Sequence, residues 1–187
     1  MPAPQVLFAV QVLYPLALTG SLTGELIEAV RAAGDWMAPT DKNAWYDAFA
    51  DLLLQHGPHL QYASWEHLDD PEEAMETYWA WLEGTAEDAE DEARQPYRDE
   101  GHYGFVTVLV LAEEGGRSAR MIAEHCDVED EDGVAFDLLE HLVRLLGALD
   151  FESVTSDVVM VRPGAGGRGV SETLLGSATY HHLGPVL

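Results

Sequence analysis

Val6-Leu-Phe-Ala-Val-Gln-Val-Leu-Tyr14 and, far downstream, Tyr103-Gly-Phe-Val-Thr-Val-Leu-Val-Leu-Ala112 are the stretches that decide the fold. In the first, Val6, Phe8, Val10, Val12 and Tyr14 share one face at period two, while Leu7, Ala9, Gln11 and Leu13 share the other. In the second, Tyr103, Phe105, Thr107, Leu109 and Leu111 alternate with Gly104, Val106, Val108, Val110 and Ala112. A strand that is apolar on both faces is covered on both faces, so these two segments are expected at the centre of a sheet.

Helical periodicity fills the sequence between and beyond them. Leu22, Leu26, Ala29, Val30 and Ala33 form a stripe behind Ser21 and before Gly34, and Trp45, Phe49, Leu52 and Leu53 form a second that Gly57-Pro58 stops. An aromatic-rich strand is predicted over Leu60–Trp65. Asp70-Pro71-Glu72-Glu73 then reads as an N-cap, a first-turn proline and a capping-box glutamate. The helix it opens places Met75, Tyr78, Trp79 and Leu82 on one apolar face, with Gly84 as a weak point or end. An acidic loop follows the second central strand, and Ala135, Leu138, Leu139, Leu142, Leu145, Leu146 and Leu149 mark another helix. Val154–Val161 is the last strand, and Ser171 caps a short terminal helix through Leu175. The expectation is one α+β domain over 1–187, with a roughly four-stranded mixed or antiparallel sheet packed against helices.

Charge is the second strong signal. The chain carries 34 acidic side chains against 9 basic ones, and Glu66–Glu100 alone holds fourteen acids with only Arg94 and Arg98 as bases. Such a surface repels phosphate backbones and anionic headgroups, which argues against a nucleic-acid partner and against membrane insertion. The 47% hydrophobic content nonetheless supplies a core, so the acidity does not imply general disorder. The segment 84–101 is read as an acidic insertion, either a solvated helical extension or a mobile linker, because it has little apolar surface to offset ordering entropy. A single cysteine, Cys126, excludes an internal disulfide framework and suits a cytoplasmic location. The apolar run Val6–Leu18 has no basic residues before it and is too short for a membrane helix, which favours a buried strand over a signal peptide.

Motifs with chemistry in them are scarce. The histidines at His56, His59, His67, His125, His181 and His182 show no metal-ligand spacing, and one cysteine rules out a Cys-rich zinc site. Asp127–Gly133 looks like a calcium loop until Gly133 is aligned with the turn glycine, which puts Val128 and Leu139 where carboxylates are required. Gly164–Gly169 has the glycines of a phosphate loop without its Lys-Ser/Thr ending. No cofactor and no catalytic set is therefore assigned.

The strands VLFAVQVLYPLAL, LQYASWEHL and GFVTVLVLAEEGG, with the ending ALDFESVTSDVVMVRP…SETLLGSATYHHLGPVL, resemble the domain of unknown function family 1517. Val161-Arg162-Pro163 stands where that family has Trp-Thr-Pro, and Leu174, Leu175, Tyr180 and Leu183 match its tail, although Tyr180 is followed by His181 instead of proline. The resemblance implies a fold and no activity, and the chain lacks the membrane segment usual in that family.

The function expected from these features is that of a non-enzymatic cytoplasmic interaction protein, an adaptor or assembly subunit. Its partner would carry a basic surface, or the chain would self-assemble. The residues assigned to partner binding are Trp81, Glu83, Glu87, Asp88, Glu90, Asp91 and Glu92, with Trp79 and Trp81 beside Tyr78 as an anchor surface where one of them faces outward. The alternatives are an acidic inhibitor or immunity protein neutralising a basic toxin or nuclease, and, behind it, a metal-binding enzyme.

Overall fold

Strands β1 (Gln5–Pro15) and β3 (His102–Glu113) pair antiparallel through the middle of one sheet, with Val10 opposite Val108 and Gln11 opposite Thr107. Each has nine consecutive buried residues, Val6–Tyr14 and Gly104–Ala112, as two-faced apolar strands require. The computed structural model describes residues 3–33, 37–94, 102–126, 133–163, 169–176 and 180–187, with 84–94 described by backbone alone.

The sheet runs β4-β3-β1-β2-β6, where β2 is Tyr62–Leu68, β4 is Val154–Arg162 and β6 is Gly184–Pro185. Every pairing between these strands is antiparallel, and one isolated parallel bridge joins Val134 to Val186. Among the described residues it has six strands, two more than the sequence suggested. The additions, β6 and β5 (Val170–Ser171), are two residues long and have no periodicity of their own; only their pairing defines them. Strand β5 takes over the edge of β3 where β4 leaves it: Phe105 pairs with Arg162, and Tyr103 with Val170. The left-handed Gly169 (φ 77°) precedes that return, and a Cβ there would fall 2.3 Å from the Tyr103 carbonyl oxygen.

One face of the sheet is covered by α2 (Leu22–Ala33), α3 (Pro39–Leu54), α5 (Arg117–Cys126) and α6 (Phe136–Ala148). Phe8, Val10, Val12, Val108 and Val110 meet Leu26, Phe49, Leu53, Ile122, Leu142 and Leu146 in the main core. The opposite face is covered by α4 (Pro71–Arg94), which lays Ala74 and Tyr78 on Leu7, Ala9, Leu109 and Leu111. A third cluster on that face joins Leu13 and Phe105 to Val170 and Tyr180, next to the short α7 (Glu172–Leu175). A further short helix, α1 (Leu16–Thr19), follows β1. Ser171 caps α7 as its sequence position implied, accepting from the Leu174 N–H at 3.2 Å.

Several boundaries differ from the sequence reading, each for an identifiable reason. The aromatic strand begins at Tyr62, not Leu60, because a 3-10 turn over Gly57–His59 takes the Leu60 N–H, and it extends to Leu68 opposite Leu7. Helix α4 runs through Gly84 to Arg94, so the backbone follows the helical-extension alternative for the start of 84–101. Helix α5 occupies Arg117–Cys126, within what reads as an acidic loop. Its buried stripe of Ser118, Ala119, Ile122 and Cys126 is built mostly of small side chains, so its apolar signal is weak. Ser118 also needs local partners to be buried, and finds them in the Asp150 carbonyl (2.9 Å) and Ser153 Oγ (3.1 Å).

The C-terminal residues close the sheet and tie it to α6. Val186 donates to the Gln61 carbonyl at 2.9 Å, and the Leu187 carbonyl accepts from the Phe136 N–H in the first turn of α6 at 3.0 Å.

Candidate functional site

Helix α4 begins as its sequence dictates. Asp70 Oδ1 accepts from the Glu72 and Glu73 N–H groups at 3.1 and 3.0 Å, a cap worth about 1 kcal/mol. Ala74 has no bulk to hold the helix away from Leu7 and Ala9, so the inner face centres on Ala74 and Tyr78. Tyr78 reaches across the sheet to Ser156 Oγ at 2.9 Å. Trp81, seven residues from Ala74 and three from Tyr78, continues that inner stripe.

Trp79 therefore does not belong to the apolar face on which its sequence spacing put it. It is 54% exposed, with its ring edge-on to Tyr78 at 5.6 Å. Glu72, Glu76, Trp79 and Glu83, spaced four, three and four residues apart, are all exposed and form one stripe along the outer side of α4. The backbone of α4 carries positions Glu87, Asp88, Glu90, Asp91 and Glu92, whose side chains lie outside the described residues.

Trp81 is placed differently from Glu83. It is half-buried, bonds the Glu66 side chain and lies edge-on to His182 with ring centroids 5.6 Å apart. Burial raises the Glu66 carboxyl above its ordinary value, with Glu73 adding to the effect and the Trp81 bond opposing it. His182 Nε2 stands 3.0 Å from Gln11 Oε1, which can only accept, so that nitrogen carries the proton. Gln11 passes the chain on, donating from Nε2 to Thr107 Oγ1 at 2.8 Å. This buried polar rung separates the two apolar clusters on the α4 side of the sheet.

The remaining candidates from the sequence do not converge. Among the described residues no three His, Cys, Asp or Glu side chains form a metal-binding group. His125 and His141 are paired across α5 and α6, Nδ1 to Nε2, at 2.9 Å. His67 is half-buried, and loss of solvation lowers its pKa while Asp69 opposes the shift. Cys126 is buried, and burial pushes its thiol up to about 12, so a reactive thiolate is disfavoured there. The acidic run 127–132 and the glycine loop 164–168 lie outside the described residues.

Two concavities lie away from the outer stripe. The larger, about 520 Å³, lies between α2, α3 and β4, with Lys42, Tyr46 and Asp157 in its lining. There the Lys42 ammonium pairs with Asp157, and the Tyr46 hydroxyl donates to Asp157 Oδ2 at 3.0 Å, so these polar groups satisfy one another. The smaller, about 300 Å³, is lined by Tyr62, Tyr103, Tyr180, Glu172, Leu175, Gly176 and Leu183. Sequence patterning does not group these tyrosines, because they lie in three separate segments that only the sheet and the C-terminal turn bring together. Their one early signal was the aromatic character of the strands that carry Tyr62 and Tyr103.

No family model, curated protein or solved structure matches the chain. Among the described residues no helix is long and apolar enough to cross a membrane.

Proposed function

We propose that the protein is a non-enzymatic cytoplasmic interaction protein, an adaptor or assembly subunit, that binds a basic protein segment along the outer side of α4. The observation that carries this reading is the exposed Glu72-Glu76-Trp79-Glu83 stripe, in which an indole 54% open to solvent stands between carboxylates. An arginine or lysine side chain laid on it gains ion pairing from the glutamates and a cation–π contact from Trp79. Exposed tryptophans are frequent energetic centres of interfaces, and a net charge of −25 steers cationic partners toward the surface. Glu87, Asp88, Glu90, Asp91 and Glu92 extend the acidic sequence of the same helix.

The test is titration of the full chain with an arginine-rich peptide and with an acidic peptide of equal length, over a range of salt. Affinity for the basic peptide should weaken as salt rises, and Trp79→Ala should lower it about tenfold while leaving the unfolding midpoint unchanged. Equal binding of both peptides, or an affinity indifferent to Trp79→Ala and to Glu76→Gln/Glu83→Gln, removes the assignment.

A further inference from the structure

The pocket of about 300 Å³ beside α7 brings tyrosine rings and one carboxylate together. In the β1 ladders Leu13 stands opposite Tyr62 and Phe105, and Pro15 opposite Tyr103, so all these side chains share the α4 side of the sheet. Tyr62 and Tyr103 meet above β1 with ring centroids 6.1 Å apart and planes at 74°, which makes two adjoining aromatic walls. Tyr180 is buried at 4% exposure, while Leu175 and Leu183 are half-buried and add apolar surface. Glu172, in the first turn of α7, is exposed and contributes the one carboxylate among the lining residues. It lies close enough for its charge to add to the burial that raises the Tyr103 phenol.

We propose that this pocket binds an alkylammonium group, held against the faces of Tyr62 and Tyr103 and paired with Glu172. Aromatic rings attract a cation through their negative faces, and methylated ammonium groups suit such walls because they have little hydration to lose. A single carboxylate at the side supplies the counter-charge without requiring a fully buried ion pair. The volume suits one side-chain head or a small free cation and lies at the bottom of the range for small-molecule sites. Anions are disfavoured by Glu172 and by the overall charge of −25. The ligand could arrive as a free quaternary ammonium or as a lysine or methyl-lysine of a peptide, since both present the same head. This assignment does not rest on the outer face of α4.

The experiment titrates the full chain with choline and with its uncharged isostere 3,3-dimethylbutan-1-ol, following tyrosine ring resonances by NMR. A second arm uses a short peptide containing trimethyl-lysine and the same peptide with leucine at that position. Choline should bind about tenfold more tightly than the isostere. Tyr103→Phe should retain binding, because the ring face remains, whereas Tyr103→Leu should abolish it and Glu172→Gln weaken it. Choline should shift the Tyr62 and Tyr103 ring resonances and leave the Trp79 indole resonance in place, which separates this site from the α4 surface. Tighter binding of the modified peptide than of choline assigns the site to peptides, and the reverse assigns it to a free cation. Equal affinity for choline and the isostere, no binding of either cationic probe, or binding that survives Tyr103→Leu overturns the proposal. An unchanged urea midpoint for Tyr103→Phe keeps the comparison valid if the leucine variant fails to fold.

Discussion

Tyr14 stands directly opposite Gly104 in the β1–β3 ladder, and its ring fills the space a side chain at position 104 would take. A Cβ built on Gly104 would fall 2.6 Å from Tyr14 Cε2 and 2.9 Å from Leu16 Cδ2. Tyr14 cannot easily give way, because it is fully buried and its hydroxyl lies 3.1 Å from Thr23 Oγ1 on α2. Gly104→Ala is therefore expected to cost about 1–3 kcal/mol by overpacking, despite the β-sheet's usual preference against glycine. Urea unfolding should show a lower midpoint at unchanged slope. Adding Tyr14→Leu should recover part of the loss, and strictly additive effects would contradict this packing account.

The same pair shows where sequence patterning suffices and where it stops. Alternation identified both central strands and both their faces, because a buried strand must be apolar on each side. It could not say that Tyr14 shields Gly104, since register is fixed by pairing between segments far apart in the chain. Helix α4 shows a related failure. Its cap at Asp70 was legible from local chemistry, but the choice between Trp79 and Trp81 for the inner face depends on how closely Ala74 lets the helix approach β1. Strands β5 and β6 were illegible because two residues carry no period. The acidic run through α4 was plain in composition; the tyrosine pocket, assembled from four segments, was not.

Cys126 should be inert in the folded protein. Its side chain is buried at the end of α5, and burial raises its thiol to about 12. Near neutral pH the reactive thiolate is thus scarce and shielded. Labelling by a thiol-specific disulfide reagent should be slow in buffer and rapid in denaturant. Fast stoichiometric labelling of the native chain would refute the buried placement.

Glu66 should make stability depend on pH in a specific direction. Its folded pKa lies above the ordinary value, chiefly because of burial, so the folded state holds this proton more tightly than the unfolded state does. The penalty for ionising it is absent below the ordinary carboxylate range, grows as pH rises through that range to the raised folded value, and is constant above. Glu66→Gln should therefore be the more stable protein at neutral pH, with the gain vanishing in acid. Paired melting curves at acid and neutral pH measure the difference, and a variant less stable at neutral pH than in acid, relative to the parent, would reverse the sign.

Asp157 is expected to be the costliest single carboxylate to remove from the α2/α3 side of the sheet. It accepts from the Lys42 ammonium and, at 3.0 Å, from the Tyr46 hydroxyl, so one strand residue fastens two turns of α3 to β4. Lys42 is the only lysine in the chain, and its ammonium also lies 5.5 Å from the centroid of Phe151, on which Tyr46 stacks at 5.2 Å. The Lys42 and Asp157 side chains are 27% and 17% exposed, which places the pair between a screened surface contact and a dry interior one. Asp157→Ala strips the ammonium of its counter-charge and a buried phenol of its acceptor, an expected loss of about 2–3 kcal/mol. Lys42→Met keeps the aliphatic packing and the Tyr46 bond and should cost about 1 kcal/mol. The double variant should be less destabilised than the sum of the two by at least about 0.5 kcal/mol, because the second change removes a group the first has already left unpaired. Guanidinium chloride would mask the charge interaction, so the cycle is best measured in urea at low and moderate salt. A coupling indistinguishable from zero would mean that Lys42 only decorates the cleft and that the Tyr46 hydroxyl is the polar group through which Asp157 ties α3 to β4.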